Sequence, residues 1–212
     1  MTAPLHESGM GMSRWTAQTV GMNEDILNRM ERAVAKVRER LLRATSALNE
    51  AGVPYAVVGG NAVASWVATV DEGAVRTTRD IDLLVRRDDL PAITAALEPV
   101  GFVRDELLDV VMFRDGAEGK PSEAIHLLFA GETIRPDHPL PAPEIQTVED
   151  PAKFRVITLD SLVVMKLLSN RDKDRTHLRD LIGVRLVDAS WLAKVPPELA
   201  DRLKAILDTP DG

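Results

Sequence analysis

Tyr55-Ala56-Val57-Val58-Gly59-Gly60, followed one helix-length later by Thr78-Arg79-Asp80-Ile81-Asp82-Leu83-Leu84-Val85, is the stretch on which the reading of this chain turns. The first half has the composition of a buried strand that runs into two residues without side chains and opens a helix at Asn61. Such a turn lets backbone N–H groups approach an anion, and the helix N-terminus adds a favourable dipole. The second half is a strand rich in β-branched residues and leucine, with two carboxylates at a spacing of two. Because strand side chains alternate, Asp80 and Asp82 share one face while Ile81, Leu83 and Val85 face the core. Adjacent carboxylates repel unless a cation sits between them. A phosphate cradle beside a divalent-metal site implies phosphoryl or nucleotidyl transfer. The plainer alternative is a tight turn followed by acids that pair with Arg79, Arg86 or Arg87.

Working outward, Ile26, Met30, Val34, Val37, Leu41, Ala44 and Leu48 recur at steps of three and four, which predicts an amphipathic helix over Glu24 to Glu50. Asn23 is its expected N-cap and Gly52 its stop. Tyr55 to Val58 is the first strand, Asn61 to Val70 a nearly all-apolar helix with Trp66 in the core, and Asp71 to Thr78 a polar loop. A helix from Asp88 or Asp89 to Leu97 follows, with Pro91 in its first turn. Short strands are expected at Phe102 to Arg104 and Val110 to Phe113, and a further strand at Glu123 to Phe129. The result is an α/β (α+β) fold, a small mixed sheet with helices packed on it.

Arg135 to Pro151 carries five prolines and reads as an extended connector wrapping a surface. Phe154 to Ile157 is expected to add an edge strand. Helices follow at Thr158 onward (Leu162, Val163, Met165, Lys166, Leu167, Leu168), at about Lys173 to Val184, and from Pro196-Pro197-Glu198 to Leu207. The expected organisation is a loosely attached segment 1–21, an N-terminal helix with the α/β core over 22–134, a Pro-rich connector over 135–157 and a C-terminal helical lobe over 158–212.

Bulk properties exclude more than they assign. A formal charge of −7 argues against non-specific coating of DNA. The absence of cysteine excludes disulfides and thiolate metal sites and fits a cytoplasmic location. Neither a signal peptide nor an apolar run long enough for a membrane span is expected.

The order strand, Gly-Gly, helix, loop, Asp-x-Asp strand resembles the nucleotidyltransferase superfamily of the polymerase-beta type, over roughly Leu48 to Gly183. Gly59-Gly60 matches its glycine motif, and Asp80 with Asp82 matches its metal pair. Arg79, and the helix from Leu90 to Leu97 leading to Gly101-Phe102, look like the lincosamide and aminoglycoside nucleotidyltransferases. The Lys166 helix, followed by Arg171-Asp172-Lys173-Asp174 and Asp180, looks like the abortive-infection toxin nucleotidyltransferases, in which a lysine and a late aspartate supplement the metal pair.

The resemblance implies that Mg²⁺ (or Mn²⁺) is held by Asp80 and Asp82, that an NTP is bound at Gly59, Gly60 and Asn61, and that Lys166 neutralises the triphosphate or leaving group. Asp180 or Asp174 would orient that charge. The acceptor would be a small hydroxylated molecule such as an antibiotic, or a tRNA end, with a cognate antitoxin as partner in the second case. A non-catalytic relative that binds nucleotide or a protein is the other reading. The superfamily's third carboxylate has no match: the position falls at His126, or at Ala124 under a shifted alignment, with Glu123 on the other face of the strand. Histidine is a poor magnesium ligand but can accept a proton near neutral pH.

Overall fold

Glycine and proline punctuation, more than propensity, sets where the elements of this chain begin and end. In the computed structural model the residues described are 12–107, 110–150 and 154–209, with side chains described from residue 25 onward. The expected loose segment 1–21 lies outside the described residues for its first eleven positions. The chain divides into two compact units, Met1–Lys36 and Val37–Gly212. A single long helix, α1 (Met12–Glu50), contributes to both. It starts well before the expected Glu24, and Asn23 is interior to it rather than its cap. Met, Ala and Gln in the early stretch are good helix formers, and the hydrophobic period that suggested a start at Glu24 marks only where the apolar stripe begins. Within the first unit, Ile26, Leu27, Met30 and Val34 are exposed.

In the second unit the same stripe continues as Val37, Leu41, Ala44 and Leu48, now buried. Among the described residues seven strands form one mixed sheet in the order β3-β4-β5-β2-β1-β7-β6. β1 (Ala56–Val58) runs antiparallel to β2 (Ile81–Val85), and β2 runs parallel to β5 (Ile125–Phe129). β3 (Phe102–Leu107) and β4 (Val110–Asp115) form an antiparallel pair at one edge. On the other flank of β1, β7 (Arg155–Ile157) pairs parallel and β6 (Thr147–Glu149) antiparallel to β7. The segment expected to be an edge strand is therefore internal, and the Pro-rich stretch supplies the edge strand β6 itself. Three residues without alternation carry too little signal to be read as a strand.

β1 and β7 are tied by side chains as well as by the ladder. Trp66 Nε1 donates to the Ile157 carbonyl at 3.0 Å, and the Arg155 N–H donates to the buried Tyr55 hydroxyl at 3.3 Å. α2 (Gly59–Ala68) packs on β1 and β2, and α3 (Leu90–Leu97) packs against β3. α4 (Leu159–Ser169), α5 (Asp172–Gly183) and α6 (Pro197–Leu207) form the C-terminal helical layer, with α4 and α5 also meeting α2. α4 is buried on most of its circumference, and Leu162, Val163, Leu167 and Leu168 each contribute about 2 kcal/mol of burial. Trp191 is part of the same core.

Candidate active site

The turn between β1 and α2 and the first half of β2 are built against each other. Val58 lies directly opposite Asp82 in the antiparallel register, so the glycines that follow it are brought beside the acid strand. Gly59 adopts φ +67°, and a Cβ there would fall 2.0 Å from Asp82 Oδ2. Gly60 is closed in from the other side, with a Cβ position 2.9 Å from Thr78 Cβ. Only glycine serves at Gly59, on both backbone and contact grounds. α2 starts at Gly59, two residues earlier than expected, and its N-cap Val58 offers no side-chain acceptor. The first-turn N–H groups are thus left without a side-chain cap, the condition under which a helix start receives an anion.

Asp82 is the second residue of an otherwise buried strand, with its side chain 26% exposed. Burial pushes its carboxyl above the ordinary range, and the charge of Asp80 adds to that, while His126, Lys166 and Lys173 pull the other way. His126 faces it across the parallel β2–β5 register, with Nδ1 3.9 Å from Asp82 Oδ1. Asp80 precedes the strand; its carboxylate lies 3.9 Å from Lys173 Nζ. No guanidinium engages either acid among the described residues, so the plainer pairing with Arg79, Arg86 or Arg87 is not formed.

These residues line one end of a cleft of about 410 Å³, whose opposite wall comes from α4 and α5. Lys166 is buried in α4 and donates to Asp174 Oδ1 at 3.1 Å, while Arg171 Nε donates to Asp174 Oδ2 at 2.7 Å. Burial alone would raise the Asp174 carboxyl, but the Arg171 bond and the Lys166 charge outweigh it and bring it to about 2. Burial pulls the Lys166 ammonium below its usual value, with Asp174 and Asp82 opposing. His177, one turn on from Asp174 and also facing the cleft, is brought to about 4 by burial and by the neighbouring Lys166 charge.

The sequence candidates do not all converge. Gly59, Gly60, Asp80, Asp82 and Lys166 share the cleft, as does Asp174. The Asn61 side chain instead donates to the Asp80 carbonyl at 2.7 Å, bracing the loop that carries the acid. Asp180 lies outside the cleft lining and accepts from Arg76 Nε at 2.8 Å. Glu123 is not on the β5 strand at all. It ends a 3₁₀ turn started by Pro121, whose fixed φ and missing N–H delay strand pairing, and its carbonyl accepts from Arg40. Sequence reasoning missed Arg135 and His138, which the proline-rich connector delivers to the cleft lining. It also missed Thr78, whose contact with Gly60 nothing local in the sequence announces.

The donor chemistry fits a divalent cation brought in with its substrate. Two carboxylates are present, and burial keeps the pKa of the partly exposed Asp82 raised even though His126, Lys166 and Lys173 pull it down. No group of three or more His, Asp or Glu able to hold a metal occurs among the described residues. Magnesium commonly takes one or two protein carboxylates and completes its shell with phosphate oxygens and water.

A glycine turn at a helix start, set against an acid-bearing strand of a mixed sheet, defines the nucleotidyltransferase class of fold. The chain belongs to the family described as uncharacterised nucleotidyltransferase, which it matches over residues 20–138. It is therefore an enzyme of the nucleotidyl-transfer type. No curated protein sequence matches it. The solution structure of the antibiotic-resistance factor ANT(2'')-Ia is similar at a TM-score of 0.52 and 15% identity, covering 82% of this chain and 92% of that one. The crystal structure of ANT(2")-Ia in complex with adenylyl-2"-tobramycin gives 0.50 and 17%, covering 84% and 99%. An antigenic nucleotidyltransferase-like protein from Paracoccidioides brasiliensis gives 0.48 and 17%, covering 82% and 89%. At these identities the likeness is one of fold. No helix among the described residues is long and apolar enough to cross a membrane.

Proposed function

We propose that this protein transfers a nucleoside monophosphate from an NTP to a hydroxyl acceptor, with Asp80 and Asp82 holding Mg²⁺ or Mn²⁺ that arrives with the triphosphate. The observation that carries the proposal is the packing of Asp82 Oδ2 onto Gly59, where a Cβ would stand 2.0 Å away. The phosphate-approach turn and the acid strand are thereby one unit. Bound metal would offset triphosphate charge and lower the pKa of the attacking hydroxyl.

The chain's own residues supply the rest. Uncapped N–H groups at Gly59 and Gly60 receive phosphate oxygens, and the helix dipole of α2 favours the same charge. Lys173, 3.9 Å from Asp80, exchanges that partner for a phosphate when substrate is bound. Lys166 is fixed by Asp174 and offsets charge that builds on the leaving pyrophosphate. His126 steadies Asp82 from the neighbouring strand, and Asn61 steadies Asp80 through its carbonyl. The acceptor hydroxyl gives up its proton to solvent and its oxygen bonds to the α-phosphorus, as the bond from that phosphorus to the bridging oxygen breaks and pyrophosphate leaves with that oxygen. Asp180, outside the cleft and bonded to Arg76, has no direct part.

Two acceptor classes are open to this mechanism. An aminoglycoside is suggested by the adenylyl-2"-tobramycin complex of ANT(2")-Ia. An RNA end, with an antitoxin as partner, is suggested by the Arg171 to Asp174 segment. Incubation with Mg²⁺, each labelled NTP and both acceptor classes tests the proposal. Label should reach an acceptor from wild type and fall at least about a hundredfold in Asp80→Asn and Asp82→Asn. Equal labelling by those variants would remove the metal site.

A further inference from the structure

The charge of the cleft points to the acceptor. Among the described residues three acids line it: Asp80 and Asp82 beside the glycine turn, and Asp174 on α5. Asp174 is already spent on Lys166 and Arg171, and the other two are the proposed metal ligands. No acid among the described lining residues is left to receive the ammonium groups of a polycationic acceptor. The same lining also carries the opposite charge. Arg135 and His138, from the connector between β5 and β6, stand there with Arg171 from the start of α5.

His138 is the informative member. Both of its ring nitrogens are buried and without a hydrogen-bond partner. Its imidazole is held below its ordinary pKa, chiefly by burial; the neighbouring Asp137 charge opposes this, and Arg135, Arg202 and Arg171 add positive charge that outnumbers it. Arg202 is fixed in place by donating to the Leu167 and Leu168 carbonyls at 2.8 and 3.0 Å. Arg171 is 44% exposed in its side chain and uses only Nε on Asp174, leaving its terminal nitrogens for another acceptor. Arg135 is exposed, and its guanidinium makes no hydrogen bond or ion pair among the described residues. Orphaned imidazole nitrogens among clustered guanidiniums are costly unless an anion offsets them. Planar guanidiniums suit phosphate oxygens in particular.

We infer that Arg135, His138 and Arg171 bind a phosphate group of the acceptor, so that the hydroxyl modified by this enzyme belongs to a phosphate-bearing molecule, a nucleotide or a nucleic-acid end, and not to an aminoglycoside. The inference rests on the proposed function for the position of the NTP at the glycine end of the cleft. The phosphate chemistry is common to a free nucleotide and an RNA 3′ end, and the probes separate them.

The experiment measures equilibrium binding of four probes to the full chain in the presence of Mg²⁺: ATP, a nucleoside 5′-monophosphate, a short single-stranded RNA with a free 3′ hydroxyl, and tobramycin. Wild type is compared with Arg135→Ala, with Arg135→Lys and with the double variant Arg135→Ala/His138→Gln, each checked for unchanged Tm. The monophosphate or the RNA should bind and be weakened about tenfold by the double variant, in proportion to a lost charge-assisted contact. Arg135→Lys should restore part of that loss. ATP binding should stay within about twofold, because its triphosphate is assigned to Gly59, Gly60, Lys166 and Lys173 and not to Arg135 or His138. Tobramycin bound as tightly as the phosphate probes, or ATP weakened as much as they are, overturns the inference. Phosphate probes that bind through Arg135, in a protein that transfers no label from any NTP, would overturn the proposed function and leave this site standing.

Discussion

Replacing Asp174 with asparagine tests whether the helical wall of the cleft is held by the charge pairing described. The carboxylate is 1% exposed and bridges Lys166 at 3.1 Å and Arg171 at 2.7 Å. Its pKa falls from 3.8 to about 2, so the native state holds the ionised form more firmly than the unfolded chain does. Nearly two units correspond to about 2 kcal/mol. Because the folded value is depressed, this stabilisation is present above pH 4 and is lost as pH falls through 2. Asp174→Asn removes it and also leaves Lys166 buried without its main counter-charge. Breaking a buried pair from one side costs up to about 3–5 kcal/mol. Burial already lowers the Lys166 pKa, so the amine can shed its proton and limit the damage. The expected loss at pH 7 is therefore about 2–4 kcal/mol. Urea unfolding followed by circular dichroism reads it directly. The gap between variant and wild type should narrow by about 1 kcal/mol between pH 5 and pH 3. Lys166→Met/Asp174→Leu should cost less than the two single changes added together. A loss below about 0.5 kcal/mol at pH 7, or a gap that does not change with pH, refutes the reasoning.

Three further outcomes are expected. Gly59→Ala should cost more than Gly52→Ala, since both have φ near +65° but only Gly59 meets Asp82, whereas a Cβ at Gly52 meets nothing within 4 Å. Thermal unfolding should show about 1 kcal/mol for Gly52 and at least twice that for Gly59, with ATP binding lost only in the latter. Mg²⁺ with ATP should raise the wild-type Tm, by about 2.7 kcal/mol of stabilisation at a hundredfold excess over Kd, and should not do so in Asp82→Asn, as scanning fluorimetry would record. His177 should remain neutral to about pH 4 by NMR titration. Its folded pKa lies below the unfolded value near 6.5, so proton uptake favours unfolding; stability should fall from pH 6.5 toward pH 4, and His177→Gln should flatten that slope.

The parts of this fold that were legible in sequence are those whose signal is local. Val57-Val58-Gly59-Gly60 and Ile81-Asp82-Leu83 announce a strand, a turn and an acid strand because alternation and side-chain absence are properties of a few adjacent residues. Lys166 was legible for the same reason, as a lone cation in an apolar helix. What stayed hidden depends on pairing at a distance. β6 and β7 are three residues each, and they become strands only because Val57 offers Val156 a ladder partner about a hundred positions away. Asp180 and Asp174 are equally acidic and lie on one helix, yet only Asp174 reaches the cleft, since Arg76 from the loop after α2 claims Asp180. The connector's prolines announced an extended path, but nothing in them announced that Arg135 and His138 would line the cleft.

The third-carboxylate position bears on how charge is balanced around Asp82. β5 lies parallel to β2 and sets His126 opposite Asp82, where a further acid would crowd a third negative charge against two carboxylates. Burial and Asp80 already push the Asp82 carboxyl upward; an acid at His126 would push in the same direction, whereas the imidazole pulls against it. On the proposed metal reading, the histidine eases the crowding of two acids, and substrate phosphates and water would supply the ligand that a third acid would have given. His126→Asp should accordingly bind Mn²⁺ without nucleotide more tightly than wild type, while lowering the Tm of the metal-free protein. Isothermal titration with MnCl₂ alone reads the first effect, and unchanged Mn²⁺ affinity together with an unchanged metal-free Tm would show that the histidine has no such balancing role.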